Sequence, residues 1–146
     1  MSAKIFPSAQ DAENAFYEAL ERCDLDGMMA VWAEDEEIVC VHPAGGRLSG
    51  QDQVRESWAK LFAAGPRARL RIEQQVAISG MMLAVHSVFE TFSIQGQKAE
   101  AQPLPIVATN VYLRTAAGWR MIVHHASPAP AQPQAAPRDA PPKILH

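Results

Sequence analysis

A histidine at the end of a short apolar run is the first residue of this sequence whose type and position could support chemistry. In EIVCVHPAGGRLSGQDQV, which spans Glu37 to Val54, the apolar run stops at His42, just before a proline and two glycines. A neutral imidazole is a competent general base, because its ordinary pKa is about 6.5. The ring could equally hydrogen-bond the Gly45-Gly46 turn and close the strand, so catalysis and scaffolding are both open at this point.

The cysteines and the glycine pair give weaker chemical signals. Cys23 and Cys40 each lie in an apolar pattern without CxxC spacing, which predicts reduced, packed thiols and neither a disulfide nor a zinc site. Gly45-Gly46 is not followed by the Lys-Ser/Thr pair of a phosphate-binding loop. The sequence therefore does not indicate nucleotide binding.

Size and charge exclude several classes of protein. With 146 residues, of which 48% are hydrophobic, the chain is long enough to bury one substantial core. The formal net charge is −3 and the basic residues are spread along the chain, which argues against nucleic acid as a partner. No apolar stretch has the length of a membrane span, and the N-terminal residues lack the apolar core of a secretory signal. We therefore expect a cytoplasmic protein without a membrane partner.

The elements that must position His42 change in character halfway along the chain. Apolar residues at three- and four-residue spacing predict three helices first, with Ser8 and Asp24 as caps for the first two and Ser49 with Asp52 as a capping box for the third. The predicted helices run over 11–23, 25–32 and from Ser49 to the Gly65-Pro66 break, with a short strand over 38–42 before the third.

Alternating patterns then predict four long strands. They run over 67–79, 81–94, 106–115 and 119–127. In the first of them, the alternation places Leu70, Ile72, Val76 and Ile78 mostly on one face. Helices first and an antiparallel meander last make the fold class α+β.

The last residues have a different composition. The segment 128–146 contains six of the eleven prolines, which favours an extended arm over a packed core. We therefore expect one domain over 1–127 and a Pro/Ala-rich arm over 128–146. Ile144 and Leu145 could dock on this subunit or on a neighbour, and a frayed end is the alternative.

Three stretches of the sequence resemble a known family. They are DLDGMMAVWAEDEEIVCVHPAGGRLSGQDQVRESW, FSIQGQ and NVYLRTAAGWRMIVHHASP, and the likeness extends over most of residues 8 to 128. The chain resembles the nuclear transport factor 2-like superfamily, and more closely its SnoaL-like and ketosteroid-isomerase-like branch. This resemblance implies a cone in which a curved antiparallel sheet wraps the three N-terminal helices around a mostly apolar pocket. It also implies a homodimer formed through the outer face of the sheet.

The resemblance also assigns positions in the site. The isomerases of this branch place a catalytic aspartate before the Pro-x-Gly turn, and here that position is His42. Their oxyanion hole pairs a tyrosine with a protonated aspartic acid, and these positions correspond to Phe16, beside Tyr17, and to Asn110. None of the three isomerase residues is retained, so steroid isomerisation by that mechanism is not supported. A histidine base with an amide donor would instead suit proton abstraction next to a carbonyl, or loss of water.

If the strand faces follow the family, further side chains line the pocket. His124 would face the opposite side, and a bond from Glu90 to a histidine could select the tautomer of that ring. The predicted pocket residues are Phe16, Tyr17, Trp32, Trp58, His86, Val88, Glu90, Asn110, Tyr112 and His125. Two alternatives are open: a satisfied polar network in the core with Glu90 paired to an arginine, or a metal on His42, His86, Glu90 and His125. No ligand spacing supports the metal, so we predict neither a metal nor a cofactor.

The sequence thus predicts a domain that binds a small, largely apolar organic molecule. His42 would serve a lyase or isomerase as general base, and the competing hypothesis is a non-catalytic binding or association domain. An open cavity with His42 and Asn110 directed at one point would favour the first hypothesis. A pocket sealed by large side chains would favour the second.

Overall fold

Three helices and six strands follow one another in the computed structural model, which describes residues 4–65, 67–94 and 105–130. The helices are α1 Ala9–Arg22, α2 Leu25–Val31 and α3 Gln51–Ala64. The strands are β1 Val39–Val41, β2 Arg47–Ser49, β3 Ala68–Ser79, β4 Leu83–Ile94, β5 Ile106–Thr115 and β6 Gly118–Pro128. The predicted elements are confirmed within a few residues, and the short strand β2 was not predicted.

The starts of the helices show which local signals were sufficient. The Ser8 hydroxyl accepts a hydrogen bond from the Asp11 N–H at 3.0 Å, and the Asp24 carboxylate accepts one from the Gly27 N–H at 3.0 Å, so both predicted caps are confirmed. The capping box predicted for α3 is wrong. Gly50 is the N-cap there, with a φ of 84° that favours glycine, and the Ser49 N–H donates to the side chain of Gln53 instead.

The strands form one curved, open sheet in the order β2-β1-β6-β5-β4-β3. All neighbouring strands are antiparallel except β1 and β6, which are parallel. The sheet is therefore mixed, whereas a purely antiparallel sheet was expected. None of the helices in the three described ranges is long and apolar enough to cross a membrane. The Ala129 N–H donates to the Pro105 carbonyl at 2.8 Å, which continues the fold just beyond β6. The Gln95-Gly96 turn and most of the predicted arm, residues 131–146, lie outside the described residues.

Two β-bulges change which residues face the helices. In β3, Glu73 pairs with Phe89 and Val76 with Ser87, so two glutamines, Gln74 and Gln75, stand opposite one residue. In β6 the pairing passes from Met121 to Val123, so Ile122 is the extra residue. Because side chains alternate along a strand, each extra residue reverses the faces that follow it.

The bulge in β3 overturns one predicted face. Leu70 and Ile72 are half-buried as expected, but Val76 is 60% exposed and Ile78 is 66% exposed. These two residues lie beyond the bulge and therefore face away from the helices. Strict alternation, on which the prediction relied, ends at Gln74, whose φ of 53° is in the left-handed region.

Large side chains fill the space between the helices and the sheet. Phe16 lies at its centre and makes edge-on contacts with Trp32 and Trp58, with ring centroids 6.4 and 5.7 Å apart. All three residues are almost completely buried, as are Tyr112 and Met28. The two indole N–H groups have no hydrogen-bond partner among the described residues. The tryptophans predicted as pocket walls therefore fill the interior.

Candidate functional site

A buried carboxylate on α1 is the centre of the candidate site. Glu13 is only 1% exposed, although most glutamates lie at protein surfaces. It lies three and four residues before Phe16 and Tyr17, on the stripe of α1 that faces the sheet. From the sequence, Glu13 was placed only as an acidic residue in the first turn of the first helix, yet its spacing from Phe16 and Tyr17 was the signal that could have identified it.

Four donors compensate the burial of this carboxylate. One oxygen, Oε1, accepts from Gln75 Nε2 at 2.5 Å. The other, Oε2, accepts from His86 Nδ1 at 2.7 Å, from the Tyr112 hydroxyl at 2.8 Å and, more weakly, from Asn110 Nδ2 at 3.5 Å. With the carboxylate oxygen as acceptor, the donor in the bond from His86 is the Nδ1–H group. Such a set of donors replaces the water that an ionised glutamate would otherwise need.

A second chain of hydrogen bonds ends on Glu90. His124 Nδ1 donates to Asn110 Oδ1 at 2.6 Å, and Asn110 Nδ2 donates to the Tyr17 hydroxyl at 2.9 Å. The Tyr17 hydroxyl in turn donates to Glu90 Oε2 at 2.6 Å. Every donor in this chain points toward Glu90, so the glutamate is its terminal acceptor.

Burial sets the protonation states in this chain. Burial raises the pKa of Glu90 to about 7, the hydrogen bond from Tyr17 opposes this rise, and the nearby charge of Glu13 adds to it. Burial lowers the pKa of His124 to about 3, with smaller effects from His42 and His125. The pKa of Tyr17 is raised, chiefly by burial, so its hydroxyl keeps the proton. Near neutral pH, Glu90 is therefore the member of this chain that can gain or lose a proton.

We expect Glu90→Gln to become more stable relative to the parent as the pH rises. The pKa of Glu90 is raised from its ordinary 4.5 to about 7. The contribution of Glu90 to the free energy of unfolding is therefore complete below pH 4.5 and is lost as the pH rises to about 7. The loss amounts to about 1.4 kcal/mol per pH unit, roughly 3 kcal/mol in all. Glutamine still offers the Tyr17 hydroxyl an acceptor, but it does not titrate. Urea unfolding of both proteins from about pH 4 to about pH 8 measures the difference.

The matched control for this prediction is Glu18→Gln, an exposed glutamate on α1 that pairs with Arg22. The difference in unfolding free energy between Glu18→Gln and the parent should not change across the same pH range, because exposed ion pairs contribute little to stability. A difference for Glu90→Gln that is equally independent of pH would contradict the raised pKa.

His42 lies outside these chains. The Ser57 hydroxyl donates to the Val54 carbonyl at 2.8 Å, so it accepts from His42 Nε2 at 3.0 Å and leaves Nδ1 of that ring as the bare nitrogen. The His42 ring also packs edge-on against Trp58, with the two ring centroids 4.6 Å apart. Burial lowers the pKa of His42. The His42 backbone carbonyl accepts the Gly45 N–H at 2.8 Å, so the turn is held by the backbone of His42 and the ring bonds to Ser57 instead. These contacts tie β1 to α3.

The structure does not direct His42 and Asn110 at one point. Asn110 is completely buried, and no hydrogen bond joins it to His42 in the described part of the chain. In the interior, the His42 ring contacts Trp58, whose ring centroid is 6.1 Å from that of His124, the residue that donates to Asn110. An oxyanion at Asn110 would thus be separated from the proposed base by packed aromatic rings.

The two adjacent histidines of β6 are placed oppositely to the prediction. His124 is 2% exposed and faces the helices, whereas His125 is exposed on the outer face. The cause is the extra residue Ile122, which shifts the pairing so that Asn110 lies opposite His124. His125 is therefore not a pocket residue.

The other predicted pocket residues are buried on the side of the helices. They are Phe16, Tyr17, Trp32, Trp58, His86, Val88, Glu90 and Tyr112. The predicted bond from Glu90 to a histidine is wrong, because Glu90 accepts from Tyr17 and His86 donates to Glu13. Within the described residues, no three His, Cys, Asp or Glu side chains are close enough to hold a metal ion.

A cleft between α1 and β3 gives access to this network. Its volume is about 360 Å³. It is lined by Gln10, Glu13, Asn14, Tyr17, Ile72 and Gln75. The family resemblance implied a mostly apolar pocket, but five of these six side chains carry polar groups. The cleft is more polar than expected because Glu13 and Gln75 face the same opening. The bulge in β3 turns Gln75 inward.

The chain is similar to known proteins in both sequence and fold. The sequence profile of the SnoaL-like domain family matches residues 10–132. A Thiobacillus denitrificans structure, provisionally named a calcium/calmodulin-dependent protein kinase type II association domain, is 41% identical; the match covers 87% of this chain and 99% of that chain, with a TM-score of 0.81. A Streptomyces avermitilis structure, provisionally named a dehydratase of the nuclear transport factor 2-like family, is 31% identical; the match covers 82% and 92%, with a TM-score of 0.72.

More distant structures share the fold alone. A Parabacteroides distasonis protein, provisionally named a ketosteroid isomerase, is 17% identical, covers 84% of this chain and 88% of its own, and has a TM-score of 0.67. No curated protein matches the chain significantly. The matched profile covers most of the chain, and the two nearer structures agree with the observed cone of helices and sheet. The chain therefore belongs to the SnoaL-like family of the nuclear transport factor 2-like superfamily.

Proposed function

We propose that this protein is a small-molecule-binding domain that acts as a cytoplasmic homodimer and takes its ligand into the cleft between α1 and β3. The observation that carries this proposal is Glu13, a buried carboxylate at the base of an open cleft of about 360 Å³. Small-molecule sites have volumes of roughly 300–1,000 Å³ and a few convergent polar groups, and this cleft has both.

Binding fits the geometry better than turnover by His42. The centre of the cone is filled by Phe16, Trp32 and Trp58, and His42 makes contacts that hold β1 on α3. A lyase or isomerase that used His42 with Asn110 would need both groups at one reacting carbon. The packed rings between them oppose that arrangement.

A second candidate function is acid–base catalysis by Glu90 through Tyr17. Tyr17 lines the cleft and donates to Glu90, whose pKa of about 7 suits proton transfer at neutral pH. Loss of water from a hydroxyl compound would need such a group, and the Streptomyces relative is provisionally named a dehydratase.

The outer face of the sheet supports the homodimer. Ile78 pairs with Val85, Val85 with Val111, Val111 with Val123, and Val123 with Val39, which makes one aliphatic row across five strands. This row faces away from the helices, and in the described part of the chain its residues are half-buried or exposed. The Thiobacillus relative is provisionally named an association domain. A second copy with the same row would bury it.

A cytoplasmic location is supported by the cysteines. Cys23 and Cys40 form no disulfide in the part of the chain that the structure describes, and Cys40 is completely buried. Paired cysteines are typical of oxidising compartments, and unpaired thiols of reducing ones.

We expect Val111→Glu to convert the dimer into a monomer. Val111 stands in the middle of the aliphatic row, where a glutamate would bring two like charges into one desolvated interface. Sedimentation velocity at micromolar concentration measures the change. Lys60→Glu, on the exposed side of α3, is the control and should remain dimeric. A parent protein that sediments as a monomer would refute the dimer.

Nuclear magnetic resonance tests the cleft directly. Gln10, Asn14 and Gln75 line it with side-chain amides whose NH₂ signals report a bound molecule. We expect at least one compound of a panel, phenol, benzamide, benzoate and benzamidine, to shift all three signals while that of Gln53 on α3 stays in place. A panel in which no compound shifts them would contradict binding in this cleft.

A further inference from the structure

The cleft offers hydrogen-bond acceptors and one carboxylate. Among its six lining residues, Glu13 is the only one with a carboxyl group, and none has a cationic side chain. The Gln10 side chain donates to Asn14 Oδ1 at 2.9 Å, and Gln75 donates to Gln10 Oε1 at 2.9 Å. Amide oxygens therefore accept along the mouth of the cleft, and each oxygen has a second lone pair available.

Glu13 itself has an acceptor position left on the side of the opening. Three of its four bonds fall on Oε2, whereas Oε1 accepts one bond, from Gln75, in the described part of the chain. Gln75 uses one amide hydrogen for Glu13 and the other for Gln10, so its 3.4 Å approach to His86 Nδ1 has no hydrogen left to donate. A ligand that donates could therefore bond to Oε1 beside Gln75 or in its place.

Gln75 is the movable part of this arrangement. It lies on the bulge of the edge strand β3 and is exposed, whereas Glu13 beneath it is not. Rotation of one exposed side chain would open the carboxylate to the cleft without a change in the core. Ile72 and the ring of Tyr17 would then contact the carbon part of a ligand.

We propose that this cleft selects molecules with a planar or tetrahedral cationic nitrogen group, such as amidines, guanidines or amines, which donate to Glu13 Oε1 and to the amide oxygens at its mouth. This inference rests on the proposed binding function and specifies the class of ligand. Charge-assisted bonds to a desolvated carboxylate are stronger than neutral ones. An anion beside Oε1 would face an acceptor oxygen, and only the Gln10 and Asn14 NH₂ groups at the mouth could donate to it.

Three probes of one shape test the selection. Benzamidine is a cation, benzamide is neutral and benzoate is an anion, and all three are planar and nearly equal in size. Titration followed by the NH₂ signals of Gln10, Asn14 and Gln75 should give an affinity for benzamidine about tenfold above that for benzamide, and no saturable shift with benzoate. Benzoate that binds as well as benzamidine would overturn the inference.

Two variants test the role of Glu13. Glu13→Gln should reduce the affinity for benzamidine to that for benzamide. Glu18→Gln, five residues further along α1 and on its exposed face, should leave the affinity unchanged. Gln75→Lys keeps Glu13 and places a tethered ammonium group beside Oε1, so it should also prevent benzamidine binding, and Gln75→Met should not. Full binding of benzamidine to Gln75→Lys would contradict the assigned position even if Glu13→Gln does not fold.

The outcomes separate this inference from the proposed function. If no probe of any charge shifts the three amide signals, the cleft does not bind small molecules and both ideas fail. If benzoate or benzamide binds better than benzamidine, the cleft is a binding site and only the cationic selection is wrong.

Discussion

His124→Asn is expected to remove most of the acid sensitivity of this fold. Burial holds the pKa of His124 at about 3, below its ordinary 6.5, so the unfolded chain takes up a proton that the folded chain refuses. The stabilising contribution is complete above pH 6.5 and is lost as the pH falls toward 3. The slope is about 1.4 kcal/mol per pH unit, roughly 5 kcal/mol over the whole range. Asparagine can still donate to Asn110 but takes up no proton.

Urea unfolding at several pH values measures this effect as a difference between variant and parent. Near pH 7 the variant should be less stable by about 1–3 kcal/mol, because ring contacts with Phe16 and Trp58 are lost. That deficit should shrink as the pH falls below 6.5. The parent curve alone is less informative, because Glu90 has the opposite slope between its ordinary 4.5 and about 7.

His125→Asn provides the matched control. His125 is next in sequence but exposed, so its replacement should keep the acid slope of the parent. If His124→Asn and His125→Asn lose stability with the same pH dependence, the interior placement of His124 is wrong.

Trp58→Ala is expected to cost about 3–5 kcal/mol of unfolding free energy. The side chain is 1% exposed and contacts Phe16, Phe62 and the rings of His42 and His124. Its removal leaves a cavity that these neighbours cannot fill by small shifts, because they belong to different helices and strands. Urea unfolding followed by circular dichroism gives the loss without relying on tryptophan fluorescence.

The cavity prediction has its own controls. Trp119→Ala removes a half-buried tryptophan at the start of β6 and should cost less. Indole should raise the melting temperature of Trp58→Ala but not that of the parent, since a ligand stabilises only the state that binds it. A loss below about 1.5 kcal/mol for Trp58→Ala would show that the interior is less tightly packed than the structure indicates.

The parts of the fold that were predictable depend on local chemistry. Ser8 and Asp24 could be recognised as caps because a side-chain oxygen and a backbone N–H three residues later are both written in the sequence. The limits of β5, Ile106 to Thr115, were predicted correctly, and the Ala116-Ala117-Gly118 turn marks the end of this strand in the sequence. The short strand β2 was missed because three residues with an exposed face carry little pattern, and its pairing with β1 is a tertiary contact.

The candidate site was only partly predictable. Glu90, Tyr17 and Asn110 were named, but their partners were not, because hydrogen bonds between distant elements leave no spacing in the sequence. Glu13 was treated as an ordinary residue of the first helical turn, although its position relative to Tyr17 indicated a buried face. A charged residue on an apolar stripe is the signal that should have been followed.

The inward turn of His124 was beyond any local pattern. In a regular β6 strand, Val123 would stand opposite Asn110 and leave the amide oxygen without its donor. An unsatisfied buried acceptor costs about 1–3 kcal/mol, so the hydrogen bond between the two residues fixes the register with the bulge. The interaction that favours the inward position of His124 is thus made with Asn110, fourteen positions earlier in the sequence.

The bulge at Gln74 and Gln75 would link the proposed ligand binding to the proposed dimerisation through thermodynamics. If β3 slipped to a regular register, Gln75 would turn outward, and Val76 and Ile78 would turn toward the helices. Within the described sheet such a slip breaks one ladder, because β3 is its edge strand and pairs there with β4. A ligand at Glu13 and a second copy on the outer face therefore both favour the same register of β3. By linkage, each event would strengthen the other by the same factor, so the proposed site and the proposed interface would be cooperative without any contact between them.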